Sequence, residues 1–129
     1  MEQKKRVLVV EDESALLFAL KAELTHEGYE VDAALSGEEG LNKANSLKPA
    51  VIILDLLLPG MGGFDVLAKL KADANTKDIP VLIVSNLAGS ENTEKGKALG
   101  AEDYIVKTEY SLERVVARIK EAIEKAAQK

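Results

Sequence analysis

Five short apolar runs punctuate the chain, each followed by a longer stretch with a different rhythm. Arg6 to Val10 is a valine-rich run that reads as a central strand. Ser14 to Glu27 carries Leu16, Leu17, Leu20 and Leu24 at helical spacing, and Gly28 stands where a helix ends in a left-handed residue. Tyr29 to Ala34 alternates apolar and polar, as an outer strand does. Ser36-Gly37-Glu38-Glu39 predicts a capping box at the start of a second helix, which runs to about Ser46, ahead of Lys48-Pro49. Val51 to Leu54 is a third strand, and Pro59-Gly60-Met61-Gly62-Gly63 is a loop. Phe64 to Ala74 is a third helix with Val66, Leu67 and Leu70 facing inward. Ile79 to Val84 is a fourth strand, opened by Pro80. Ser90 to Leu99 reads as a short, polar helix ended by Gly100. Asp103 to Val106 is the fifth strand. Ser111 to Ala127 is the last helix, with Leu112, Val115, Val116, Ile119 and Ile123 as its apolar stripe, and Lys125 to Lys129 is expected to fray.

Strands alternating with helices imply an α/β fold with a parallel sheet and right-handed crossovers. A length of 129 residues fits one domain, 1–129, with a sizeable core. The pattern shows no linker, repeat or low-complexity segment. Apolar residues make up 47% and charged residues 30%, a globular balance. The net charge of -5 argues against nucleic acid as a partner. There is no cysteine, hence no disulfide, thiolate metal site or cysteine nucleophile. Met1-Glu2-Gln3-Lys4-Lys5-Arg6 and the few apolar residues after it are too short for a signal peptide or a membrane span, so a cytoplasmic location is expected. Lys4-Lys5-Arg6 reads as a solubilising terminus and His26 as a surface residue.

Chemistry gathers where the apolar runs end. Val7 to Val10 leads into Glu11 and Asp12, Val51 to Leu54 into Asp55, Val81 to Val84 into Ser85, and Tyr104 to Val106 into Lys107. In a parallel sheet these C-terminal ends share one edge, where open α/β sheets bind ligands. Asp55 lies between Val51-Ile52-Ile53-Leu54 and Leu56-Leu57-Leu58, and a carboxylate there needs a partner. A divalent cation and Lys107 are the candidates. Three carboxylates about 4 Å apart repel by roughly 4 kcal/mol per pair at an effective dielectric near 20, so the cluster invites cations. Each residue has an ordinary alternative: Glu11-Asp12 as helix caps, Ser85 as a strand-end hydroxyl, Lys107 as a solvated lysine, Tyr104 as core packing. Asp55 is hardest to dismiss.

Taken in order, Glu11-Asp12, Asp55 with the loop from Leu56 to Gly63, Ser85, Gly100-Ala101-Glu102-Asp103-Tyr104 and Lys107 resemble the receiver domain of bacterial response regulators over essentially the whole chain. The resemblance implies a flavodoxin-like, doubly wound (βα)5 fold with a five-stranded sheet in the order 2-1-3-4-5. It also implies phosphotransfer from a histidine kinase, a phosphotransfer protein or a small phosphodonor to one aspartate with Mg2+. By position Asp55 matches the phosphoacceptor, Asp12 the main carboxylate ligand of Mg2+, Glu11 its water-mediated neighbour, and the Leu57 carbonyl a further ligand. Ser85 matches the hydroxyl that meets a phosphoryl oxygen, Lys107 the lysine that pairs with the phosphate, and Tyr104 the aromatic that turns inward on activation. Such a chain is a switch that catalyses only its own phosphotransfer and dephosphorylation. It acts on a downstream protein, without nucleic acid or membrane, as a monomer or weak dimer in which Asp103 and Arg118 pair between copies.

This chain departs from the usual pattern at three positions. Thr108 follows Lys107 where the family usually has a proline, often cis. Leu57 replaces a residue that is often polar, and Asn86 follows Ser85 where a smaller residue is common. Two other readings compete: a Mg2+-dependent α/β phosphohydrolase and a receiver that only binds partners. The first wants a second acid two residues after the nucleophile, where Leu57 stands; the second is disfavoured by the full set Asp12, Asp55, Ser85 and Lys107. A nucleotide-binding domain is discounted, because neither GxGxxG nor GxxxxGK[ST] occurs.

Overall fold

The computed structural model describes residues 4–128. Five strands alternate with five helices: β1 Arg6–Val10, α1 Ser14–His26, β2 Glu30–Ala34, α2 Gly37–Leu47, β3 Val51–Leu54, α3 Gly63–Ala72, β4 Val81–Ser85, α4 Ser90–Ala98, β5 Asp103–Val106 and α5 Leu112–Ala127. All strand pairs are parallel, in the order β2-β1-β3-β4-β5. The central strands are apolar apart from Arg6 at the start of β1 and Ser85 at the end of β4, because helices cover both faces.

Strand periodicity of two divides the core. Val7 and Val9 of β1, Val51 and Ile53 of β3, Leu82 and Val84 of β4 and Ile105 of β5 pack with Leu20 and Leu24 of α1 and the α5 stripe. Leu8, Val10, Ile52, Leu54, Val81, Ile83, Tyr104 and Val106 point the other way, onto Ala44 of α2 and Val66, Leu67 and Leu70 of α3. The expected inward residues of α3 are fully buried or nearly so. In α5, Ala122 joins the stripe and Leu112 lies at its half-buried margin.

Local chemistry moved several expected boundaries. β4 begins at Val81, after Pro80, and takes in Ser85. α3 ends at Ala72 because Asp73 turns the chain: its Oδ1 accepts the Asn75 backbone N–H at 2.9 Å, an Asx turn. At α2, Ser36 Oγ accepts the Glu39 N–H at 3.2 Å as expected, but Glu39 Oε1 reaches past Ser36 to the Leu35 N–H at 2.6 Å. α5 does not fray at Lys125. It continues to Ala127, and Lys125 pairs with Glu102 at 2.9 Å; Lys129 lies outside the described residues, as do Met1 to Gln3. Arg6 is not a loose solubilising residue either, because it pairs with Glu30 at 3.1 Å and Asp32 at 2.9 Å across the β1–β2 register. His26 is exposed at the end of α1. Among the described residues no helix is long and apolar enough to cross a membrane.

Candidate functional site: an acidic pocket closed by Lys107

The C-terminal ends of β1, β3 and β5 bring Glu11, Asp12, Asp55 and Lys107 together. Register makes this unavoidable, since Val10 pairs with Leu54 and the next residues are Glu11 and Asp55. The Asp55 N–H donates to the Val10 carbonyl at 3.0 Å, which fixes the carboxylate's starting point. Gly63 fixes the far side of the loop: a Cβ there would lie 2.5 Å from the Asp55 carbonyl and from Leu56 Cα. Only glycine lets α3 start this close to the Asp55 backbone.

Glu11 is 2% exposed and Asp55 4% exposed, whereas Asp12 stands at the open mouth. One carboxylate oxygen from each lies within 4.8 Å of the others. Asp55 Oδ1 accepts the Leu57 N–H at 3.2 Å, and Oδ2 accepts from the Lys107 ammonium at 3.1 Å. Glu11 Oε1 is 2.9 Å from the same ammonium, and its Oε2 accepts the Glu13 N–H at 2.9 Å. Neither acid caps α1, so the capping alternative fails. Lys107 also reaches Glu13 at 3.3 Å, a contact that motif reasoning missed. Glu13 had one legible signal: it holds the N-cap position, where glutamate is a poor choice.

Electrostatics follow from this crowding. Burial pushes the Glu11 carboxyl above its ordinary value, opposed by its bonds to Lys107 and the Glu13 backbone. Burial works against the Lys107 charge, but its bond to Glu11 and the nearby charge of Asp55 outweigh that and hold the ammonium well above its ordinary value. One cation thus answers several acids, and the pocket keeps an excess of negative charge. Hard oxygen donors with a net negative charge suit a divalent cation such as Mg2+.

Ser85 and Tyr104 form a second, linked unit. Ser85 is fully buried at the end of β4, and its Oγ accepts the Leu87 N–H at 3.3 Å. The Tyr104 hydroxyl donates to the Leu87 carbonyl at 2.7 Å. The two sides of Leu87 therefore carry both side chains, a connection that no motif announces. Gly96 makes room: a Cβ there would meet Ile83 Cδ1 at 2.8 Å and Tyr104 Cδ2 at 3.0 Å. Tyr104 is 7% exposed as a residue, and its hydroxyl is tied to the Leu87 carbonyl. Burial, then the charge of Asp55, raises its phenol above the ordinary value. The Lys107–Thr108 bond is trans, as is every other peptide bond among the described residues. Leu57 is 54% exposed beside the mouth. Asp103 and Arg118, which could pair across a dimer, are 2.6 Å apart within this chain, and Arg118 also donates to the Tyr110 hydroxyl at 3.1 Å.

Comparison with known proteins decides the family. The profile of the response regulator receiver domain matches residues 7–120. The chain belongs to the response regulator receiver domain family. It is 38% identical over 124 residues to the response regulator ArlR of Staphylococcus aureus, covering 96% of this chain and 55% of that protein. The chain thus spans about half the length of the curated relatives it matches. A CheY-like receiver domain protein from Methanospirillum hungatei superposes with a TM-score of 0.90 at 30% identity, covering 98% of each chain. The non-phosphorylated HemR receiver domain of Leptospira biflexa gives 0.85 at 32% identity, covering 93% of this chain and 94% of that one. Receivers are phosphoacceptor switches of two-component systems rather than enzymes in the ordinary sense, and they work with histidine kinases or phosphotransfer proteins and with downstream targets. The acidic cluster fits that chemistry.

Proposed function

We propose that residues 1–129 act as one cytoplasmic receiver unit in which Asp55 accepts a phosphoryl group. The observation that carries this reading is the Asp55 carboxylate, buried at a strand end, bonded to Lys107 and set beside Glu11 and Asp12. An Asp55 oxygen attacks phosphorus as the bond to the donor breaks: P–N for a phosphohistidine in a histidine kinase or phosphotransfer protein, P–O for acetyl phosphate. The donor fragment leaves, and Asp55 becomes an acyl phosphate. Transfer depends mainly on positioning and charge neutralisation at the phosphoryl oxygens. Lys107 supplies a point charge and Ser85 a hydroxyl donor. Asp12, Asp55, the Leu57 carbonyl and, through water, Glu11 would hold Mg2+, which when bound offsets charge on the phosphoryl group. The chain promotes its own transfer and its own dephosphorylation and turns over no other substrate. An apolar, exposed Leu57 offers no general acid for the phosphohydrolase alternative.

The signal leaves through Leu87. When the Ser85 hydroxyl turns to a phosphoryl oxygen it gives up the Leu87 N–H, and the same residue holds Tyr104. Phosphorylation shifts a pre-existing balance at α4, β5 and α5; α4 is a soft part of that face, with Gly96 its one buried residue. We read the chain as a monomer that contacts a downstream protein and neither nucleic acid nor membrane.

Mass spectrometry after incubation with acetyl phosphate and Mg2+ tests the assignment. Wild type should gain one phosphoryl mass, EDTA should prevent it, and Asp55→Asn should not gain it. A phosphoryl group on the Asn variant, mapped to another residue, refutes the assignment.

A further inference from the structure

Lys107 has three N–H donors and meets three carboxylates: Glu11 at 2.9 Å, Asp55 at 3.1 Å and Glu13 at 3.3 Å. Two of these contacts are hydrogen bonds, to Asp55 and Glu13, and the third is an ion pair with Glu11, so the ammonium is closely surrounded. Glu11 and Asp55 are buried, whereas the Glu13 side chain is 55% exposed and makes the longest contact. Glu13 is also the N-cap residue of α1, in extended conformation, and its side chain makes no capping bond. Short side chains are preferred at that position because they reach the first free backbone N–H groups. A glutamate that ignores its own helix and reaches across to β5 breaks a local rule, which is where function is expected.

On the reading that Asp55 is the phosphoacceptor, we propose that Glu13 is a positioning residue: it accepts a hydrogen bond from Lys107 in the resting site and is exchanged for a phosphoryl oxygen when the site is charged. An ammonium crowded by three carboxylates takes a new oxygen most readily when an old one leaves. Glu13 leaves at the least cost, because water is at hand to replace Lys107 and an exposed ion pair contributes little. Glu11 and Asp55 are buried, away from bulk water. The negative charge of Glu13 at the rim also opposes the approach of an anionic phosphodonor. Glu13 thereby sets a threshold for charging the site.

The test is a titration of wild type, Glu13→Ala and Glu13→Gln with beryllofluoride, a stand-in for the phosphoryl group, in the presence of Mg2+. NMR follows the backbone amides and the Lys107 ammonium. Glu13→Ala should bind about two- to fivefold more tightly than wild type, and Glu13→Gln should fall between, since it keeps an acceptor without the charge. The resting Lys107 ammonium signal of Glu13→Ala should differ from wild type, while the beryllofluoride-bound signals should coincide. Backbone amides away from residues 11–14 and 107 should superimpose, which separates this effect from a change in folding. Equal or weaker binding by Glu13→Ala overturns the proposal. If wild type itself binds no beryllofluoride with Mg2+, the phosphoacceptor reading falls and this one with it.

Discussion

Two lysines at opposite edges of the sheet are both partly buried and both donate to oxygen, yet they differ in kind. Lys107, at the C-terminal edge, bonds to carboxylates, and its ammonium is held above its ordinary value despite burial. Lys71, on α3 at the N-terminal edge, donates to the carbonyls of Lys77 at 3.1 Å and Ile79 at 2.8 Å. Burial lowers its value, and the charges of Asp78 and Glu102 only partly oppose this. Partners, not depth, decide the difference. A lysine facing uncharged carbonyls ties down a loop, whereas one facing acids is part of a charge balance that a ligand can enter. A groove of about 450 Å3 lies beside Lys71, lined also by Lys77, Asp78, Pro80 and Glu102. None of the carboxylate-cluster residues lines it, so the groove and the acidic chemistry lie apart.

The largest expected effect is on ligand binding. With Mg2+ present, Lys107→Met should weaken beryllofluoride binding about ten- to hundredfold, the range for a hydrogen bond to a charged group. Lys71→Met should leave it within about twofold, as for distant, uncoupled sites. Titration by fluorescence or NMR reads both. A comparable loss in the two variants would break the distinction between the edges.

Stability should show the reverse emphasis for Lys71. Removing its ammonium leaves the Lys77 and Ile79 carbonyls without that donor, and Lys71→Met should cost about 1–3 kcal/mol in urea unfolding. The α3–β4 connection should then exchange its amide protons faster than in wild type, while β1 and β3 stay protected. Unchanged exchange there would mean that Thr76, whose hydroxyl donates to the Leu70 carbonyl at 2.7 Å, holds the loop without help.

Much of the acidic edge was legible because one residue type in one pattern has few explanations. Asp55 among aliphatic neighbours demanded a partner, and strand alternation placed Glu11 and Lys107 on its edge. The Lys71 staple was not legible, because residues 71, 77 and 79 meet only through the tertiary path of the connection. The close approach of Gly96 in α4 to the Tyr104 ring was hidden for the same reason. Lys48 closes α2 in the left-handed region at φ 46, where asparagine or glycine is the usual signal, so that boundary was blurred. The start of β4 moved by two residues, where Pro80 leaves the ladder. Glu13 stood at a recognisable rule violation, but only the structure shows what it reaches.

The smallest effect is the most discriminating, because it reads the two ammonium groups directly. Stability rises with pH wherever the unfolded chain binds more protons than the folded one, and falls in the opposite case. The folded value of Lys107 lies above the ordinary 10.5, so its contribution is complete below 10.5 and is lost as pH climbs through its folded value. The folded value of Lys71 lies below 10.5, so its cost is complete below that lowered value and is relieved as pH rises toward 10.5. Urea unfolding of wild type, Lys107→Met and Lys71→Met across the alkaline range isolates each term, since tyrosine titration is common to all three chains. The stability gap between wild type and Lys107→Met should narrow above pH 10.5, and the gap between wild type and Lys71→Met should widen as that pH is approached from below. Gaps that move in the same direction would show that the two lysines share one electrostatic environment, and the assignment of one to chemistry and the other to structure would lose its physical basis.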